Sequence, residues 1–209
     1  KNLTFGRIYN SYICNRMNVQ FTDKIDSIFK STLHLIKDNG FHGTPMSQIA
    51  KHADVAIGTI YHYFPSKDEL ILALFEYCRK ELYAYIFKHV NQDMTYKEQF
   101  YSVFRSFSMF HIHQREYSCF FEQFYNSPYN AMLRAKESED GPYAQNTFMD
   151  FLRRGIEENF IKPLDEKIIC AAYIGAAITY AKTIVYGKTE HNEQQLTDLI
   201  DIIWTGIKN

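Results

Sequence analysis

The chain has 209 residues, 46% hydrophobic, 22% charged and 16% aromatic, which excludes a disordered or fibrous polymer and allows one or two domains with a sizeable buried core. Nine glycines and five prolines are few for this length, and helices need such punctuation less than short strands joined by tight turns. The formal charge of −1 hides an asymmetry: residues 1–67 hold eight basic and four acidic side chains, +4, leaving −5 for the remainder, a sign pattern that points the N-terminal part toward a polyanion. Cys14, Cys78, Cys119 and Cys170 lie far apart with no C-x-x-C pair, so neither a metal site nor a disulfide framework is expected. No secretory signal is recognisable, and a reducing cytoplasm is the expected compartment. The longest apolar run, Ile168 to Ala181, falls short of the about 20 residues a membrane span needs, so a buried helix and no membrane partner are expected.

Residues 1–16 show no clear periodicity, and with Met17 as a natural start they read as a tail or cloning remnant. Ile25, Ile28, Phe29, Leu33 and Ile36 then recur at helical spacing, and Asn39-Gly40 is a C-terminal stop. Thr44 caps a short second helix with Pro45 at its first position and an apolar side of Met46, Ile49, Ala50 and Ala53. Asp54 marks a turn, and a third helix covers about 57–63. Ser66-x-x-Glu69 is a capping box opening a long helix of roughly 25 residues, about 37 Å. Thr95-x-x-Glu98 and Asn192-x-x-Gln195 open helices of about 95–113 and 193–207. Between these lie helices near 115–126, 130–137, 143–160 and 165–187, punctuated by Ser127-Pro128, Gly141-Pro142 and Pro163. The expected fold is all-α, about nine helices, with an N-terminal helix-turn-helix domain over 17–66 and a larger helical domain over 67–209.

Residues 44–67 read as helix-turn-helix: two short helices joined by a tight turn, the second placed to enter a DNA major groove while the first braces it. Small or polar residues belong at the two helix starts, where N–H groups meet phosphates; Thr44 and Ser47 qualify at one, Gly58 and Thr59 at the other. Ile60 and Phe64 anchor the second helix, leaving Thr59, Tyr61, His62 and Tyr63 outward. The stretch 22–70 resembles the DNA-binding domain of TetR/AcrR-family (tetracycline-repressor-like) transcriptional regulators. The resemblance is carried by Asn39-Gly40-Phe41, Thr44, Ile49-Ala50, Ala53-x-Val55 and above all by Gly58-Thr-Ile-Tyr-His-Tyr-Phe-Pro-Ser-Lys67-Asp-Glu-Leu70. It covers about a quarter of the chain. It implies that Thr44 and Ser47 lie near phosphates, that Gly58, Thr59, Tyr61 and His62 face the groove, and that Tyr63 and Lys67 point toward the DNA backbone. Two positions depart from the family pattern. Ala56 stands where serine commonly caps the recognition helix, a loss of about 1 kcal/mol. Ile57 stands where a basic or small residue is frequent, and offers an apolar contact to a thymine methyl in place of a phosphate pair.

The remaining three quarters share the family's length and helical character. Aromatic residues crowd several of these helices, and angled aromatic helices can enclose an apolar ligand cavity. The candidate effector-binding residues are Phe107, Phe110, His111, Phe121, Glu122, Tyr125, Phe148, Phe151 and Tyr173, each of which also fits plain core packing or, for Glu122, a solvated surface. His111 and His113 point to different sides of a helix, so no metal is expected. No nucleophile with a recognisable base, Gly-rich phosphate loop or cofactor motif appears, so no catalytic residues and no cofactor are assigned. Small residues at Ala171, Gly175 and Thr179, and Leu199, Ile203 and Trp204 on the last helix, are the candidate dimer interface; in the resembled family the last two long helices pair about a two-fold axis, although intrachain packing fits the pattern equally.

The resemblance implies a cytoplasmic homodimeric repressor that binds a palindromic double-stranded operator and is released by a small hydrophobic or aromatic effector. The long helix from Ser66 would be the lever between reader and sensor. The alternative is a helical small-molecule-binding protein or enzyme whose N-terminal unit is only structural.

Overall fold

The computed structural model describes residues 23–136, 147–187 and 189–209. The tail expected over 1–16, Met17, Cys14, Gly141-Pro142 and the expected helix start at 143–146 lie outside the described residues. Among the described residues there are ten helices: α1 (Asp23–Asn39), α2 (Met46–His52), α3 (Ile57–Tyr63), α4 (Lys67–Ile86), α5 (Tyr96–His113), α6 (Arg115–Tyr125), α7 (Pro128–Lys136), α8 (Thr147–Glu157), α9 (Glu166–Val185) and α10 (Glu193–Ile207). Among the described residues the one strand-type pairing is an isolated antiparallel bridge between Ile161 and Lys208. The all-α expectation is met. The chain divides into two compact units, residues 1–77 with 116–144, and residues 78–115 with 145–209. In this partition α6 and α7 fall with α1 to α3.

In the first unit, α1 buries Ile25, Ile28, Phe29, Leu33 and Ile36. It stops where Gly40 adopts φ +67 and donates its N–H to the Ile36 carbonyl at 2.9 Å, a left-handed turn that glycine adopts without steric cost. The α2 start differs from expectation. Pro45 is the cap, without a side-chain bond, while Thr44 is buried and its hydroxyl donates to the Gly40 carbonyl at 2.8 Å. That nearby carbonyl outcompetes the helix start for the threonine. The Asp54 turn, at φ 53, is as expected, and the Val55 N–H returns to the Ala50 carbonyl at 3.0 Å. Phe41 packs edge-on against Phe120 of α6 and Tyr129 of α7, at 5.9 and 5.0 Å. Gln123 donates to the Ile36 carbonyl at 3.1 Å, and these contacts explain why α6 and α7 belong here. Helix α4 begins with the Glu69 N–H on Ser66 Oγ at 3.2 Å and has 20 residues, about 30 Å. It is shorter than expected because after Ile86 the backbone tightens into i to i+3 turns through Val90.

The second unit is built around α5, which packs against α9 and α10, with α8 against α9. Its start is the expected capping box, Glu98 N–H on Thr95 Oγ1 at 3.3 Å and Thr95 N–H on Glu98 Oε2 at 2.7 Å. Asn192 caps α10 through the Gln194 and Gln195 N–H groups at 2.9 and 3.1 Å. Phe100, Phe104, Phe151 and Tyr173 are fully buried, and Tyr173 meets Phe100 and Phe104 at 5.0 and 4.7 Å. The aromatic excess of the sequence is therefore largely core. Tyr96 stacks on Phe151 at 4.9 Å and donates to its carbonyl at 3.2 Å.

This stacking leaves no room at Gly155, where a Cβ would sit 2.3 Å from Tyr96 Oη and 2.4 Å from its ring. Gly155→Ala must displace a ring wedged between Phe151 and Phe160, and should destabilise the protein by about 1–3 kcal/mol. A lowered urea midpoint at unchanged slope checks this; an unchanged midpoint refutes the packing argument.

Candidate DNA-binding interface and ligand-binding unit

Helix α3 has seven residues and one fully buried side chain, Ile60. Phe64, just beyond its end, packs against Phe29 of α1 at 5.5 Å. With 60 and 64 turned inward, Ile57, Gly58, Tyr61 and His62 are exposed and Thr59 and Tyr63 half-buried. Ile57 and Tyr61, one turn apart, keep 45% and 48% of their surface in solvent, large for apolar and aromatic side chains. Beside that row, a Cβ on Gly58 would meet no atom within 4 Å. Ala56 precedes the helix without a side-chain cap bond, as the sequence implies. Of the four residues expected to point outward, Tyr61 and His62 are exposed and Thr59 and Tyr63 are half-buried.

The remaining expected contacts divide. Ser47 is exposed on α2. Thr44 is a correction: its side chain is buried and occupied by the Gly40 carbonyl, so it presents no hydroxyl to a phosphate. Lys67 is half-buried, and its ammonium donates to the Phe41 carbonyl. Burial holds its pKa below the usual lysine range, with Asp68 opposing. It therefore staples the 40–45 loop to the start of α4. Sequence reasoning passed over Gln48 and Lys51, both exposed on α2; the signal was their place opposite Met46, Ile49 and Ala50. It also passed over the His34–His52 stack, with ring centroids 5.0 Å apart. His34 is bonded to Glu116 Oε1 at 2.9 Å and His52 to Ser31 Oγ at 3.0 Å, so the pair ties α1, α2 and α6 together within the first unit.

The nine expected effector residues are divided between the two units. Phe121, Glu122 and Tyr125 belong to the first unit, where Phe121 is buried, Glu122 and Tyr125 are exposed, and Phe121 and Tyr125 each lie edge-on to Phe75 at 5.9 Å. Phe107, Phe110, His111, Phe148, Phe151 and Tyr173 belong to the second and are all buried. There His111 lies against Phe107 and Phe110 at 4.7 and 5.7 Å. One helical turn away, the hydroxyl of fully buried Ser108 has no hydrogen-bond partner among the described residues. A polar patch is therefore set into the aromatic interior of this unit, the chemistry by which an apolar pocket orients a ligand. Among the described residues no cluster of three or more metal-ligating side chains occurs.

The expected dimer residues also divide. Ala171, Gly175 and Thr179 are exposed, and Leu199 and Ile203 half-buried. Trp204 is a correction: it is buried, 5.2 Å from the Phe100 ring and 6.3 Å from Tyr96, because a large indole at that register fills the α5–α10 seam. The expectation that the Ile168–Ala181 run is buried is corrected too. α9 is long and apolar enough to cross a membrane by length and composition, and only 22% of its apolar window is buried in the chain. Ile168 is 65% exposed, as is Ile202 of α10 at 68%.

Burial, helped by the Lys182 charge, pushes the His111 imidazole down to about 4. An unfolded histidine takes its proton near about 6.5, so in that window only the unfolded chain is protonated here. The stability is present above about pH 6.5 and lost as pH falls toward about 4, at most about 3 kcal/mol. Urea unfolding at about pH 7 and about pH 4.5 should show a smaller acid loss for His111→Gln than for the parent; equal losses would refute the assignment.

Comparisons with known proteins agree with this geometry. Residues 28–74 match the family model for bacterial regulatory proteins of the tetR family, and residues 95–208, more than half the chain, match the model for the tetracyclin repressor-like C-terminal domain. The chain is 33% identical over 76 residues to the fatty acid metabolism regulator protein of Bacillus subtilis, covering 36% of this chain and 39% of that one. It is 46% identical over 50 residues to a helix-turn-helix-type transcriptional regulator of Haemophilus influenzae, covering 24% and 27%. These alignments span well under two thirds of either relative. A TetR-family regulator structure from Haemophilus influenzae superposes with a TM-score of 0.77 at 22% identity, covering 92% of this chain and 100% of that one. One from Vibrio parahaemolyticus gives 0.73 at 25%, covering 88% and 98%. FadR from Bacillus subtilis in complex with stearoyl-CoA gives 0.65 at 21%, covering 87% and 98%. With one model matched on the reader unit and the other over α5 to α10, the chain belongs to the tetR family of bacterial regulatory proteins.

Proposed function

We propose that the chain is a cytoplasmic, ligand-responsive transcriptional repressor that binds a palindromic operator as a homodimer and is released by a small apolar or aromatic effector. The observation that carries the reading is the outward face of α3. A glycine inside a helix costs about 0.5–1 kcal/mol relative to alanine, and among the described residues no atom lies within 4 Å of the space Gly58 leaves open. Its use is sought outside the chain, in the close approach of a DNA backbone or base edge. Exposed Ser47, Tyr61 and His62 and half-buried Thr59 and Tyr63 belong to the same two helices, with Lys67 holding the adjoining loop.

The same reasoning supports dimerisation through α9 and α10. Gly175 and Gly206 have no atom within 4 Å of a Cβ position, and they neighbour exposed Ala171, Thr179, Ile168 and Ile202. A second copy could pack closely there and cover the apolar surface. Two reading helices would then engage half-sites about one helical turn apart. For the effector, the support is the Ser108–His111 patch among Phe107, Phe110 and Phe104; since a regulator of this fold binds stearoyl-CoA, an acyl chain is a ligand to try first. Ligand acts by preferring one conformer, and α4, with Lys67–Tyr77 in one unit and Cys78–Ile86 in the other, is the proposed lever.

Gel shifts with genomic fragments at about 100 mM salt should yield a specific complex that acyl ligands dissolve. Gly58→Ala should bind the selected fragment at least tenfold more weakly while melting no lower than the parent. Gly175→Ala should likewise fold and yet shift the dimer toward monomer in sedimentation. Absence of any specific complex, or a Gly58→Ala protein that binds like the parent, refutes the reading.

A further inference from the structure

The reading face of α3 carries an unusual set of side chains for its task. From Ala53 to Tyr63 there is no arginine, lysine, asparagine or glutamine, the four residues whose paired donors and acceptors bind guanine or adenine edges in bidentate fashion. The polar groups that remain are the Asp54 carboxylate in the turn before the helix, the Thr59, Tyr61 and Tyr63 hydroxyls and the His62 ring. What the helix exposes instead is apolar surface, Ile57 and Tyr61 on one row, 45% and 48% accessible. They stand four residues apart, so their Cβ atoms are about 6 Å from each other, close to two base-pair steps of about 3.4 Å. In the major groove the sole apolar feature of a base pair is the thymine 5-methyl group.

We infer that this operator is read through the methyl groups of two thymines, one or two base pairs apart in each half-site, packed against Ile57 and Tyr61. The inference rests on the DNA-binding reading above and names what that site selects. Gly58 belongs to the same arrangement. The row beside the apolar pair consists of Gly58 and His62, and the open space over Gly58 lets α3 lie deep enough for Ile57 to reach a base edge. The specificity term is then hydrophobic burial, with His62 and Thr59 adding single hydrogen bonds at the flanks. Such a reader discriminates by methyl contact and shape where a bidentate arginine would demand guanine.

The test begins with the full-length protein and a random duplex library. Enriched sites should carry thymine at two fixed positions in each half-site. Synthetic operators in which each of these thymines is replaced by deoxyuridine lose the methyl and nothing else on the groove edge. Affinity should fall about fourfold per replaced methyl, the worth of one buried methyl group. Ile57→Ala should bind thymine and uracil operators equally at one of the two positions while still discriminating at the other. Enriched sites bound equally with thymine or uracil would overturn the methyl readout and leave the regulator reading standing, as would an Ile57→Ala protein with undiminished discrimination. Failure to enrich any sequence would overturn the regulator reading and this inference together.

Discussion

Seven residues make about two helical turns, too few for a helix to persist alone in water. Helices α2 and α3 both have this length, and neither start carries a side-chain cap bond. They exist because Ile49 and Ala50 are buried on α2, which packs against α1, Ile60 is buried on α3, which packs against α2, and Phe64 lies against Phe29 of α1. That constraint decides the function as well as the fold. Anchoring through Ile60 and the following Phe64 leaves other positions of α3 free of structural duty, so the outward row can carry Ile57, Tyr61 and a glycine that no contact among the described residues requires. Any residue there that served the core would be unavailable to DNA.

Glycine makes the distinction between inward and outward use measurable. At Gly155 the missing side chain is occupied by the Tyr96 ring of the same unit, and the conformation of the fold accounts for it. At Gly58, Gly175 and Gly206 nothing fills the space, although each lies in a helix where alanine would be more stable. A cost without an intrachain return points outward. These three positions fall on the two surfaces assigned to DNA and to a second copy, and no argument from family resemblance is needed to single them out.

Much of this was legible in the sequence because local chemistry decides it. Asn39-Gly40, Thr95-x-x-Glu98 and Asn192-x-x-Gln195 act within a few residues, and the helix ends they mark are where they should be. The anchoring of α3 by Ile60 and Phe64 follows from spacing alone. The misreadings arise where two local options compete or where distant packing decides. Thr44 can cap α2 or bond the Gly40 carbonyl, and only the loop's closure selects the second. Phe121 and Tyr125 look like any other aromatic pair on a helix, and it is Phe75 beside both, with Phe41 against neighbouring Phe120, that places α6 with the first unit. Trp204 has a register compatible with either surface of α10, and the ring space beside Phe100 determines which one it takes.

Helix α9 is the instructive case. Ile169, Tyr173, Ala177 and Ala181 make an inward row packed on α5, while Ile168, Ala171, Ala172, Gly175 and Thr179 make an outward one. Both rows are apolar or small, and periodicity therefore describes a helix apolar on every side, the pattern of a segment covered all round. Within the described residues only the inward row is covered. The outward row needs a second surface, and its small side chains favour another helix at close range, since a lipid face would be served as well by leucine or phenylalanine and would gain nothing from Gly175. A surface of this kind, repeated on an identical copy, can be self-complementary about a two-fold axis. In the proposed dimer, covering one apolar helix and spacing two reading helices would be consequences of the same contact, so that the row left open among the described residues would set the separation at which an α3 pair meets DNA.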